Sequence, residues 1–112
     1  MLKGKKNLIG IFGGSFDPPH YGHLKIAKIC VKKLNLNILY WIITKKNPFK
    51  KNPLFNFNTR LKKSYILVKK IRKIKILNLE KFLNSSKSIN VVKYIKKNNH
   101  QKSLIFLIIG SD

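Results

Sequence analysis

Residues Ile9–Ile29 read IGIFGGSFDPPHYGHLKIAKI, and the reading of this stretch decides the fold. The apolar run from Leu8 to Phe12 is too short for a helix and is closed by Gly13 and Gly14. It predicts a buried strand that ends in a sharp glycine turn. From Tyr21, apolar residues recur at Leu24, Ala27, Val31 and Leu34, the spacing of one helix face. Asn35 and Asn37 end that helix. Two of the chain's three histidines, His20 and His23, stand three residues apart at its mouth.

The pattern repeats outward. Ile38 to Thr44, ILYWIIT, is β-branched and aromatic and predicts a second strand, with Trp41 in the core. A Lys-, Asn- and Pro-rich loop spans Lys45 to Asn58, and a helix from about Thr59 to Arg72 buries Leu61, Tyr65, Val68 and Ile71. Ile74 to Glu80, IKILNLE, alternates as a strand, and Phe82 to Lys87 is a loop. Ser88 caps a helix to about Lys97, with Val91, Val92 and Ile95 inward. Leu104 to Gly110, LIFLIIG, is the fourth strand. The order β-α-β-α-β-α-β predicts a Rossmann-like three-layer α/β/α sandwich around a parallel sheet of four strands, in one domain over residues 1–112. Ligands of such sheets bind beyond the carboxyl ends of the strands, where chain order reverses.

With 44% hydrophobic residues the composition is that of a folded domain. No apolar run reaches the roughly 18 residues needed to cross a bilayer. The apolar run near the N-terminus is too brief for a signal-peptide core, so a cytoplasmic protein is expected. The formal charge is +22, from 25 basic and 3 acidic residues. Almost all the basic residues are lysine; Arg60 and Arg72 are the arginines. Abundant Lys, Asn and Ile together mark an AT-rich coding sequence, and arginine is the residue suited to bidentate phosphate and guanine contacts. No specific nucleic acid and no membrane partner are expected, only weak, salt-sensitive polyanion binding. Cys30, the single cysteine, belongs to a buried helix face, and His100 to a solvated loop.

At the first loop, Gly13 and Gly14 let the backbone approach a ligand, and the amides of Gly14, Ser15 and Phe16 then face an anion. The helix beyond adds its own N–H groups and the positive end of its dipole. His20 and His23 lean toward one point, and Gly22 leaves room for a flat or bulky group. These features make a phosphate cradle with two imidazole donors. Two other readings stay open. One is a metal held by the histidines with Asp17, although no cysteine or third histidine stands close. The other is a purely structural pair of capping histidines. GGSFDP is neither the GxGxxG dinucleotide fingerprint nor a Walker loop.

The string GIFGGSFDPPHYGHL resembles the signature of the HxGH nucleotidyltransferase superfamily, and within it that of bacterial nicotinate-nucleotide adenylyltransferases. NPFK resembles a reduced form of that family's Pro-rich phosphate loop. Arg60 opening the second helix, Glu80 after strand three, and LIIGSD at the end agree in order. The resemblance implies transfer of AMP from ATP to nicotinate mononucleotide in NAD biosynthesis, giving deamido-NAD and pyrophosphate, with Mg2+ accompanying ATP. It implies that Gly13, Gly14, Ser15, Phe16, His20 and His23 hold the ATP phosphates, with the two histidines catalytic. Lys50 would help from the loop, Gly110 and Asp112 would approach the ribose, and Ser88 would contact the pyridine nucleotide. No metal ligand from the protein is implied. The alternatives are a phosphopantetheine adenylyltransferase, a cytidylyltransferase, or a non-catalytic basic fragment that binds polyanions.

Three departures stand out. Lys87 and Val91 occupy positions where the family carries Tyr and Thr, and Phe49 stands for a histidine. The chain stops at Asp112, where the family continues into a fifth strand and further phosphate contacts. That predicts a C-terminally truncated copy with weak or no turnover. It also predicts an unpaired apolar edge, residues 104–109, open to self-association.

Overall fold

The computed structural model describes residues 7–44, 54–78, 92–95, 97 and 103–108. In chain order they form β1 (Asn7–Gly14), α1 (Tyr21–Lys33), β2 (Ile38–Ile43), α2 (Phe57–Val68), β3 (Ile74–Ile76) and β4 (Ser103–Ile108). Residues 92–95 and 97 are helical. The strands lie parallel in the order β3-β2-β1-β4, a Rossmann-like α/β sheet.

Alternation along the strands divides the core in two. Ile9 and Ile11 of β1 and Ile42 of β2 gather with Ile95 on one face. Phe12 of β1, Leu39, Trp41 and Ile43 of β2, and Ile74 of β3 gather on the other, against Ala27 of α1 and Val68 of α2. Both faces are covered, which is why β1 and β2 read as continuous apolar runs.

The end of α1 carries the register of the sheet. Asn35 has φ 52, and the amides of Asn35 and Leu36 donate to the carbonyls of Lys32 and Val31. This is a Schellman motif with Asn in the left-handed position. Asn37 then accepts from the Leu8 amide at 2.7 Å and donates its own amide to the Leu8 carbonyl at 2.8 Å. Helix end and first strand are thereby tied, and Ile38 starts β2 opposite Ile9.

Several expectations are corrected. Gly13 and Gly14 do not turn; they continue β1, opposite Ile42 and Ile43. Strands β2 and β3 end earlier than the apolar runs suggested, at Ile43 and Ile76, while the expected end of the fourth strand, Ile109 and Gly110, lies outside the described residues. Tyr21 is 79% exposed; Ala27 is buried as expected and Leu24, Val31 and Leu34 pack against the core, with His23 an unforeseen buried member of the α1 face. The second helix starts at Phe57 and buries Val68 as expected, but Arg60 and Ser64 are buried where Leu61 and Tyr65 were expected, with Tyr65 at 62% exposure. Leu61 and Ile71 only flank the core. Cys30 is half-buried at the core's rim, and Trp41 is fully buried as expected.

Candidate active site

From β1 the chain steps outward to β2 and β3, then returns to the far side of β1 as β4. Order therefore reverses between β1 and β4, and the loop leaving β1 sits at the place where open α/β sheets bind ligands. His20 caps α1 from an extended conformation, φ −147 and ψ 177. Its Nδ1 accepts from the Gly22 amide at 3.0 Å, and its own amide donates to His23 Nδ1 at 3.1 Å. This is a capping box with imidazoles in the places that Ser or Thr and Glu usually take.

The cap fixes the tautomers. A neutral ring whose Nδ1 accepts a hydrogen bond carries its hydrogen on Nε2. Both rings are so constrained, and they stack with centroids 3.8 Å apart and planes inclined by 27°. The capping reading and the donor reading are thus compatible, since the cap uses one nitrogen of each ring and leaves the hydrogen on the other. His23 is 7% exposed and lies edge-on to Phe16, centroids 4.9 Å apart. His20 is exposed and leans on it. Gly22 makes room for a flat group, but that group is the His20 ring: a Cβ at Gly22 would lie 2.8 Å from His20 Cε1.

The sharp turn falls at Phe16, whose φ is 47. A non-glycine residue there costs roughly 1–3 kcal/mol. Burying the aromatic ring returns roughly 1.5–3 kcal/mol, enough to hold the turn. The ring is 2% exposed and stacks on Trp41, centroids 4.3 Å apart at 23°. Its side chain belongs to the core, so anything Phe16 offers a ligand comes from its backbone. A Cβ at Gly14 would meet the Phe16 ring at 3.4 Å, an ordinary van der Waals contact. Ser15 is buried beside it.

Three further residues hold the loop. The carboxylate of Asp17, whose peptide bond to Pro18 is cis, accepts from the amides of Leu54 at 2.6 Å and Phe55 at 2.7 Å. Arg60, only 2% exposed, donates from Nη1 to the carbonyls of Ser15 and Thr44, each at 2.8 Å, and from Nε to the Phe55 carbonyl at 3.0 Å. Thr44 in turn donates its amide to the Gly14 carbonyl at 2.9 Å and its hydroxyl to the same oxygen at 3.3 Å. In the sequence, Asp17 reads only as a candidate metal ligand, Arg60 only as a position shared with the resembled family and Thr44 only as a strand end, so their anchoring roles are not legible there.

Of the expected site residues, Gly13, Gly14, Ser15, Phe16, His20 and His23 come together around the end of β1 and the mouth of α1. Lys50, Ser88, Gly110 and Asp112 lie outside the described residues, as do Glu80, Lys87, Val91 and His100. Asp17 is the one acidic residue among those described. No group of three or more His, Cys, Asp or Glu able to hold a metal occurs among the described residues, and both Asp17 oxygens are already engaged by amides. Nor is any described helix long and apolar enough to cross a membrane.

A family model described as cytidylyltransferase-like matches residues 11–112. The chain belongs to the cytidylyltransferase-like family. A probable nicotinate-nucleotide adenylyltransferase of Pelagibacter ubique (strain HTCC1062) is 40% identical over 99% of this chain and 61% of its own length. One of Sulfurovum sp. (strain NBC37-1) is 38% identical over all of this chain and 58% of its own. The chain therefore spans a little over half the length of these curated relatives. The nicotinic acid mononucleotide adenylyltransferase of Plasmodium falciparum, solved in complex with NaAD, superposes with a TM-score of 0.76. That match covers 95% of this chain and 53% of the other at 23% identity, a likeness of fold. It agrees with the α/β architecture.

Proposed function

We propose that the loop after β1 and the His20–His23 pair bind the phosphates of ATP and that the protein transfers AMP to nicotinate mononucleotide. The observation that carries this is the reciprocal cap, which leaves two stacked imidazoles each with its hydrogen on Nε2 at a helix N-terminus. The names of the relatives support nicotinate mononucleotide as the acceptor.

In this reading the phosphate of nicotinate mononucleotide attacks the α-phosphorus of ATP. The bond to the β-phosphate oxygen breaks, and deamido-NAD and pyrophosphate result. The attacking phosphate is already ionised, so no protein base is required. His20 and His23 donate to phosphoryl oxygens as charge spreads over them, and positioning supplies the rest. Magnesium would come with the ATP substrate and would supply charge neutralisation on its phosphates; Asp17, engaged with two amides, would not be its ligand. Gly13, Gly14, Ser15 and Phe16 contribute backbone to the cradle; Lys50 would help hold the phosphates, Gly110 and Asp112 would approach the ribose, and Ser88 would contact the pyridine nucleotide. The site of action is the cytoplasm. The outer strand β4, with Leu104 and Leu107 exposed, is where a second copy would pair, which sedimentation at rising concentration reads directly.

The test is pyrophosphate release with ATP and magnesium against a panel of acceptors. Release is expected with nicotinate mononucleotide. Preference for phosphopantetheine, or for CTP as donor, overturns the assignment. So does a titration in which binding is indifferent to the nucleotide and collapses with salt, the behaviour of a general polyanion surface.

A further inference from the structure

We propose that Arg60 and Asp17 are positioning residues for the phosphate loop, acting as one closed clasp through the backbone of Phe55. This rests on the adenylyl-transfer reading for its catalytic consequence, though not for its geometry.

The clasp is a ring of hydrogen bonds. Arg60 Nη1 donates to the Ser15 carbonyl, and Arg60 Nε donates to the Phe55 carbonyl. The Phe55 amide donates to Asp17 Oδ1, and Asp17 lies two residues from Ser15 in the same loop. The Leu54 amide on Asp17 Oδ2 adds a second tie, and the Thr44 carbonyl on Arg60 Nη1 adds the end of β2. Three chain segments that converge on the carboxyl ends of β1 and β2 are thus fixed by two side chains.

A buried guanidinium is an expensive way to fill space. Removing such a charge from water costs several kcal/mol, and an apolar residue of similar volume would pack the same site at lower cost. What the guanidinium adds is a rigid planar fork that sets several carbonyls in one geometry. One of these matters most. The Ser15 carbonyl belongs to the peptide leading into Phe16, where φ is 47. A trans peptide is planar, so holding its oxygen toward Arg60 aims the Phe16 N–H the opposite way, away from the guanidinium. The cation also aligns that peptide's dipole, with the positive end outward. Arg60 therefore acts on an anion at the loop without touching it, through a peptide plane that it orients. Asp17 completes the orientation from the other side and leads through Pro18 and Pro19 directly into His20.

The experiment compares the full chain with Arg60→Lys, Asp17→Asn and the double variant. Lysine keeps the charge and loses the fork. Asparagine keeps the shape and offers one acceptor oxygen where two are used. Each single variant is expected to lower kcat for adenylyl transfer by 10- to 100-fold with KM for ATP changed less than threefold. The double variant is expected to lose no more than the worse single one, because either change opens the same ring. An activity-independent readout accompanies it: the buried Arg60 Nε–H resonance should move in Asp17→Asn, although that substitution lies outside the guanidinium's own bonds. Losses that multiply, or an Arg60 resonance unmoved by Asp17→Asn, overturn the clasp. A wild-type chain that neither binds ATP with magnesium at a defined stoichiometry nor transfers an adenylyl group overturns the function proposed above; the Arg60 resonance then decides the clasp alone.

Discussion

The imidazoles of His20 and His23 are stacked 3.8 Å apart, and each accepts a backbone N–H at its Nδ1, one from Gly22 and the other from His20 itself. The pair is a helix cap, the function proposed above makes it a phosphate donor as well, and the two roles can be separated by substitution. Asparagine is among the best N-cap residues, because its side-chain oxygen reaches the same amide. It places no donor where an imidazole Nε2–H would be. His20→Asn should leave the unfolding free energy within a few tenths of a kcal/mol of wild type, whereas His20→Ala should cost about 1 kcal/mol. Both should lower adenylyl transfer by about 10²- to 10³-fold, the usual loss for one transition-state donor. Urea unfolding beside steady-state rates reads both quantities. If His20→Asn retains full transfer, the pair is a cap and nothing more.

The tautomers are open to direct measurement. Long-range nitrogen–proton correlation spectra distinguish a ring protonated at Nδ1 from one protonated at Nε2. Both His20 and His23 should show the Nε2–H pattern in the ligand-free chain at neutral pH, since each Nδ1 is an acceptor. An Nδ1–H pattern on either ring contradicts the capping box.

Gly22 tests the same arrangement by crowding. Alanine is worth roughly 1 kcal/mol more than glycine in a helix interior. At Gly22, however, a Cβ would lie 2.8 Å from His20 Cε1 and 2.9 Å from its Nδ1. The ring must swing out and the cap is lost, at a cost of about 1 kcal/mol. The two effects nearly cancel. Gly22→Ala should therefore melt close to wild type while transferring AMP at least tenfold more slowly. A variant with normal rates would show that His20 has no need of its capped position.

The sequence made most of this legible where one force dominated. Strands β1 and β2 are buried on both faces, so unbroken apolar runs revealed them. Asn35 and Asn37 marked the end of α1 because a left-handed residue and a strand-tying amide were both needed there. The misreadings occurred where a polar or aromatic residue took a role usually given to another type. Two glycines suggested the turn, yet Phe16 makes it, since its ring is held by Trp41. The inward face of α2 was missed in part because periodicity counts apolar residues, and the face here is Arg60, Ser64 and Val68. Arg60 is buried because three backbone carbonyls receive it, and two of them, those of Ser15 and Thr44, come from distant segments that no local pattern displays.

Cys30 gives a pH-dependent prediction. Burial raises its thiol pKa above the ordinary value. The folded chain thus holds this proton to higher pH than the unfolded chain does. Any contribution to stability is complete below the unfolded thiol's range and is lost as pH rises through the folded one. The side chain is only half-buried, so the effect on stability is small and reactivity is the better readout. Alkylation of Cys30 by iodoacetamide should be slower in the folded chain than in urea at every pH up to the ordinary thiol range, the thiolate being the nucleophile. Equal rates in the two states would mean that the thiol is as solvated folded as unfolded.

Gly10 supplies a test of the core that does not involve the site. It lies in β1 opposite Leu39, and a Cβ there would come within 2.6 Å of Leu36 Cδ1. Leu36 is fully buried where α1 gives way to β2, so it has little space into which to retreat. Gly10→Ala should therefore destabilise the chain by about 1–3 kcal/mol, the usual cost of overpacking. Its sign should reverse once the obstacle is gone. Leu36→Ala alone should cost about 2–5 kcal/mol through the cavity it leaves. Within that background Gly10→Ala adds a methyl to vacated space and removes glycine's excess freedom in the unfolded chain, a gain of roughly 0.5–1 kcal/mol. Urea unfolding of the four chains closes the cycle, and an unchanged penalty in the Leu36→Ala background would show that Leu36 is not what requires glycine at this position.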